Sequence, residues 1–146
     1  DDYNLIMLDA IADRFAEALT EMLHHEVRTK YWGYEKTNDL NMDDLHKVKY
    51  TGIRPAPGYP VQPDHTEKKQ IWEVLNVEKE INITLTESFS MFPTASVCGL
   101  FFAHPESKYF SVNKIQKDQV IDYSLRKNQS IEITEKWLMP ILGYDC

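Results

Sequence analysis

Within these 146 residues, the stretch Arg54-Pro-Ala-Pro-Gly-Tyr-Pro60 gathers the groups with most chemistry to offer. Its three prolines fix φ at about −65° and remove three backbone donors. Arg54, Ala56 and Tyr59 each precede a proline, which drives them to extended conformations. Gly58 is the one point where positive φ or a close approach is available. Such a segment cannot pair fully in a sheet. It reads as a stiff ribbon that displays a few backbone groups, one guanidinium and one phenol, which is the kind of pre-ordered surface a small molecule needs. A guanidinium matches a carboxylate in a bidentate fork. A sulfonium or ammonium is served by aromatic faces, here Tyr59, Tyr109 and Phe110, or by a carboxylate such as Glu17. The ligand class these residues suit is a small zwitterion. The residues by themselves leave two other readings open: an ordinary rigid connection, or a polyproline-type ligand for a protein partner, since Pro57-Gly-Tyr-Pro60 and Pro60-Val-Gln-Pro63 have that spacing.

The surrounding elements must hold the ribbon. From about Asp2 to Tyr31 the apolar residues Leu5, Leu8, Ala12, Phe15, Leu19 and Met22 recur every three or four positions, the mark of one buried helical face. Asp13, Glu17, Glu21 and Arg28 fall elsewhere on that cylinder, and Gly33 is a natural stop. A helix so apolar on one side needs a sheet or other helices to cover it. Residues 34–40 read as a polar turn. Asn41 with Asp44 predicts a capped short helix at 42–49, and Asp64 with Glu67 a capping box for a helix at 65–80. After Asn82 the period changes to two. Strands are predicted around 83–86, 96–103 and 109–114, with His104-Pro-Glu-Ser107 as the turn of a hairpin between the last two. Helices follow at 116–127 and from Ser130 to just before Pro140. This order predicts an α+β fold: an antiparallel sheet with the long N-terminal helix and further helices packed on it.

Composition excludes several classes. Hydrophobic residues at 42% and charged residues at 27% are globular proportions rather than disordered ones. No apolar run reaches the roughly 18–20 residues of a membrane span, so no membrane association is expected. With a net charge of −7 and its sixteen basic residues interleaved with acids, the chain lacks the basic patch that nucleic-acid binding requires. Cys98 and Cys146 have no partner spacing and read as free thiols of a reducing cytoplasm. His24 and His25 point about 100° apart on a helix, poor geometry for one ion, and His46, His65 and His104 carry no metal signature. His65 is expected to hydrogen-bond the ribbon backbone. Trp72 and Trp137 fall on apolar helix faces and are expected in the core.

Seven blocks resemble the reactivation domain of cobalamin-dependent methionine synthase, in that family's order: Tyr31-Trp-Gly-Tyr34, Gly52-Ile-Arg-Pro-Ala-Pro-Gly-Tyr-Pro60, Pro63-Asp-His-Thr-Glu-Lys68, Leu85-Thr-Glu-Ser88, Ser107-Lys-Tyr-Phe110, Lys117-Asp-Gln-Val120 and Leu142-Gly-Tyr-Asp145. The resemblance implies that residues 1–146 are the C-terminal half of that domain. It implies S-adenosylmethionine as the ligand, with contacts from Arg54, Ala56, Gly58 and Tyr59 on the ribbon, from Tyr109 and Phe110, and from Glu17. Phe110 stands where many relatives carry a second tyrosine. The resemblance further implies cobalamin on another domain of the same enzyme, a flavodoxin or flavodoxin-type reductase as electron-donating partner, and a cytoplasmic setting. No catalytic acid or base and no metal ligand is implied in this chain.

Overall fold

The computed structural model describes residues 1–36 and 40–146; residues 37–39 of the turn read over 34–40 lie outside that description. Helix α1 runs Asp2–Glu26 and passes into a wider π-helical turn, Val27–Tyr31. Trp32 and Gly33 both donate to the Val27 carbonyl, at 2.9 and 3.2 Å. Gly33 then takes φ +69°, so the glycine stop expected from sequence is present. The π turn shifts the helix face, and Arg28 is fully buried on it.

Short helix α2, Met42–His46, carries the full capping box between Asn41 and Asp44. A 3₁₀ turn, His65–Glu67, leads into α3, Lys68–Leu75, and α4, Val77–Ile81. The single helix expected at 65–80 is broken because Asn76 adopts the left-handed conformation, φ +51°, which asparagine tolerates better than most residues. Asp64 caps as expected, accepting from the Thr66 amide at 2.8 Å. Glu67 does not close a box; its carboxylate accepts from Tyr123 and Lys127 instead. Strands β1, Thr84–Leu85, and β2, Met91–Phe92, form a two-stranded antiparallel sheet. Helices α5, Lys117–Lys127, and α6, Ile131–Leu138, follow, with a 3₁₀ turn Met139–Ile141 around Pro140.

The class is α+β, with a smaller sheet than the period-two segments suggest. Residues 96–103 and 109–114 do not pair with each other, although the turn between them forms, with Ser107 N–H donating to the His104 carbonyl at 3.0 Å. They pair with the proline ribbon. Ile53 and Phe102 exchange two backbone bonds, at 3.0 and 2.9 Å, Leu100 N–H donates to the Pro55 carbonyl at 3.0 Å, and Val112 N–H donates to that of Pro60 at 2.8 Å. A proline has no N–H but keeps its carbonyl, so the ribbon serves as a ladder of acceptors.

Two apolar clusters lie on either side of a polar clamp. Trp72, Val77 and Cys98 form one, with the Trp72 indole N–H donating to the Ile83 carbonyl at 3.0 Å. Val120 of α5, Leu138 of α6 and Leu142, in the segment after α6, form the other. Trp137, expected in the core, is half-buried and meets Phe89 edge to face. Between the clusters Lys127 Nζ donates at 2.8 Å to both Asp64 and Glu67, and the Tyr123 hydroxyl, with one proton to give, lies within hydrogen-bond reach of the same two carboxylates. Burial works against the Asp64 charge, but bonds from Lys127, Thr66 and Tyr123 hold its carboxyl below the usual range. The clamp ties the start of α3 to α5 and thereby fixes the C-terminal end of the ribbon. By contrast α1 is uncovered along most of its length: Leu5, Leu8, Phe15, Leu19 and Met22 are all exposed.

Candidate functional site

The ribbon enters at Gly52, whose φ of +90° and closeness to Phe102 both demand glycine; an added Cβ would sit 2.1 Å from the Phe102 carbonyl oxygen. Ile53, Pro55 and Pro57 are buried, and Arg54 and Ala56 alternate with them. At Ala56 the chain turns, with Tyr59 N–H donating to the Ala56 carbonyl at 3.2 Å. Gly58, φ +97°, is held there by its N–H to Gln62 O, at 2.7 Å, and the His65 ring occupies the space a Cβ would need. His65 thus supports the ribbon by packing rather than by the backbone hydrogen bond expected from sequence; its Nδ1 lies 3.0 Å from Lys68 Nζ. Tyr59 projects into solvent, two-thirds exposed.

Arg54 is the most constrained polar group of the ribbon. Its backbone N–H donates to the Tyr109 hydroxyl at 3.0 Å. The guanidinium faces α1: Nη2 donates to Glu21 at 2.5 Å, and Nη1 donates to the Tyr50 hydroxyl at 3.0 Å and lies 3.3 Å from His24 Nδ1. Since arginine only donates, His24 Nδ1 is the acceptor, and its Nε2 carries the proton toward the Tyr34 hydroxyl at 3.3 Å. His24 is completely buried, stacked on Phe101 with ring centroids 4.7 Å apart and edge-on to Tyr50. Burial, then the charges of Arg28 and Arg54, push its pKa down to about 4, so the ring is neutral near pH 7.

A second buried cation closes this polar layer. Arg28 Nε donates to Glu35 at 2.7 Å, and its guanidinium lies 4.0 Å from the Tyr50 ring centroid. Glu35 also accepts from the Thr51 amide at 3.0 Å, which links the π turn to the entrance of the ribbon. Three side-chain atoms of this layer, Glu21 Oε1 and Arg28 Nη1 and Nη2, are buried without a hydrogen-bond partner among the described residues.

Beside the ribbon opens a groove of about 540 Å³, lined by Ile53, Pro55, Leu100, Phe102, Ser107 and Phe110 among others. Its walls are largely apolar, and its volume suits a ligand of nucleoside size. The structure therefore brings six of the sequence-selected residues to one region: Arg54, Ala56, Gly58 and Tyr59 on the ribbon, Tyr109 bonded to Arg54, and Phe110 on the groove. Glu17 stands apart. It is exposed and paired with Arg14 at 2.8 Å, while Glu21, one turn further on, is the acid that reaches Arg54. Sequence reasoning passed over Glu21, His24 and Tyr50. A signal for the first two existed, because Glu17, Glu21, His24 and Arg28 follow one another at spacings of four, three and four, one polar stripe on the helix.

Among the described residues, no helix is long and apolar enough to cross a membrane.

Comparison with known proteins gives two findings. The family model described as "Vitamin B12 dependent methionine synthase, activation domain" matches residues 1–128. A solved structure, the crystal structure of the MetH reactivation domain bound to AdoHcy (S-adenosylhomocysteine), aligns with a TM-score of 0.96 at 56% sequence identity, covering 99% of this chain and 45% of that one. This chain thus spans less than half the length of that relative. It belongs to the family of the activation domain of vitamin B12 dependent methionine synthase.

Proposed function

We propose that this chain is the C-terminal half of a methionine synthase reactivation domain and carries most of a binding site for S-adenosylmethionine. The observation that carries the reading is the 56% identity, over 99% of the chain, to a reactivation domain whose structure contains AdoHcy, the product left when S-adenosylmethionine gives up its methyl group. The ribbon supports it. Arg54 has five N–H donors on its guanidinium. Three are engaged by Glu21, Tyr50 and His24, which leaves two for the carboxylate of a ligand. The Ala56 amide donates to no group among the described residues, the groove beside Phe110 and Pro55 offers an apolar bed, and Tyr59 presents an exposed aromatic face.

In this reading the site holds the methyl donor and positions it; no side chain of the chain acts as acid or base. Cobalamin, carried by another domain of the same enzyme, would be the methyl acceptor in its inactive cob(II)alamin form, with one electron supplied by a flavodoxin or flavodoxin-type reductase and the methyl group by the sulfonium held here, which would leave as AdoHcy. The work is cytoplasmic, and the other half of the domain completes the site.

Isothermal titration of the full-length domain with S-adenosylmethionine tests the reading, with binding expected and its absence decisive against it. Arg54→Ala removes a charge-assisted bidentate contact, so affinity is expected to fall by about 2 kcal/mol, roughly thirtyfold. Unchanged affinity in that variant would remove Arg54 from the site.

A further inference from the structure

We propose that Glu21 on α1 is the positioning residue that aims the Arg54 guanidinium at the ligand, an inference that rests on the ribbon being the S-adenosylmethionine site. The geometry carries it. An arginine side chain has several rotatable bonds, and holding it in one orientation before the ligand arrives is what gives a fork-on-carboxylate contact its strength. Arg54 is about three-quarters buried, and the carboxylate touching it is that of Glu21, at 2.5 Å and similarly buried. Tyr50 and His24 take the Nη1 side, both neutral, so Glu21 alone among these partners supplies opposite charge.

The other oxygen of Glu21 strengthens the case. Oε1 is buried with no partner among the described residues, an arrangement that is unfavourable for a carboxylate and is tolerated where its second oxygen makes a contact that outweighs it. A carboxylate needed only to pin α1 against the ribbon would be better placed with both oxygens bonded or in water, as Glu17 is. The backbone that carries this pair matches that of an AdoHcy-bound relative with a TM-score of 0.96.

The test uses the full-length domain and two probes, S-adenosylmethionine and 5′-methylthioadenosine, which shares the nucleoside and lacks the amino-acid carboxylate. Titration calorimetry is run on the natural protein, on Glu21→Gln, on Arg54→Ala and on the double variant. Glu21→Gln is expected to weaken S-adenosylmethionine at least about tenfold, to leave 5′-methylthioadenosine within about twofold, and to have no further effect once Arg54 is alanine. Unchanged S-adenosylmethionine affinity overturns the proposal. So does an equal loss of both probes, which marks a structural role or a misfolded variant, and so does an effect that persists in the Arg54→Ala background. If the natural protein binds neither probe, the reading of the site itself fails, and that result is distinguishable from all three.

Discussion

The two ends of α1 are built on opposite principles. From Asp2 to Leu19 every residue except Ala12 and Ala16 is exposed, apolar Leu5, Leu8 and Phe15 among them. Over the last turns, and in the π turn that follows, the helix buries His24 and Arg28 completely and covers much of Glu21. One end leaves apolar groups in water and the other takes charged groups out of it, the reverse of the ordinary distribution. The apolar end keeps its helical hydrogen bonds but packs little of its surface within the chain. The polar end is fixed by specific partners: Glu35 and Tyr50 for Arg28, Phe101 and Tyr34 for His24, Arg54 for Glu21. Buried polar groups tolerate few arrangements, and the ribbon that carries the candidate site is held to this end of the helix.

The largest expected effect that would break this contrast is at Arg28. Arg28→Met keeps the bulk and removes the charge, leaving the Glu35 carboxylate with its bond from the Thr51 amide alone. Breaking a buried pair from one side costs about 3–5 kcal/mol. Because Nη1 and Nη2 of Arg28 have no hydrogen-bond partners to lose among the described residues, the expected value lies at the lower end, about 3 kcal/mol, read as a shift in the urea midpoint with unchanged slope. A shift below about 0.5 kcal/mol would mean that the layer is held by packing and not by its charges.

His24 gives the pH dependence of the same end. Its folded pKa of about 4 lies below the ordinary value of 6.5, so between these values the unfolded chain binds more protons than the folded one. Stability is therefore fully present above pH 6.5, falls as the pH drops toward 4, and loses nothing further to this group below that. The loss is on the order of 3 kcal/mol. Asp64, with its carboxyl held low, adds a separate loss in more acid solution. Unfolding measured against pH for the natural chain and for His24→Gln checks this; the slope between pH 6.5 and 4 is expected to flatten in the variant, and equal slopes would exclude His24 as its source.

Much of this was legible in the sequence, but unevenly. The capping residues Asn41 and Asp64 were legible because they act on their own neighbours, each accepting from an amide two or three residues on, whereas the Glu67 half of the second box was not. The ribbon was legible for the same reason, since proline and pre-proline restrictions are local. What failed was longer in range. The period-two pattern of 96–103 and 109–114 does mark extended chain, but pattern does not name a partner, and the acceptors turned out to be carbonyls of the ribbon. The break at Asn76 was invisible because one residue entering the left-handed region leaves the apolar period of 71–77 intact. At the site, the chemistry of Arg54 was readable from its type, whereas which acid of α1 pairs with it depended on where the ribbon crosses the helix. Both acids lie on the polar stripe, and only tertiary placement separates them.

The exposed end of α1 carries the smallest expected effect in this chain and the sharpest contrast elsewhere. Leu8 is 62% exposed, so Leu8→Ala removes little buried surface, and alanine is itself the better helix former. Within this chain the change is expected to move stability by less than about 0.5 kcal/mol. In the proposed reading, where this chain is half of a longer domain, the full-length domain is a different case, because a stripe of leucines and a phenylalanine at helical spacing is what a covered face looks like. If the remainder of the domain packs there, the same substitution costs about 2 kcal/mol or more, the ordinary value for a leucine truncated in a core. Chemical denaturation of both lengths with and without Leu8→Ala separates the cases. A small cost in both would place the stripe on an outer surface, and the contrast between the two ends of α1 would then hold at either length.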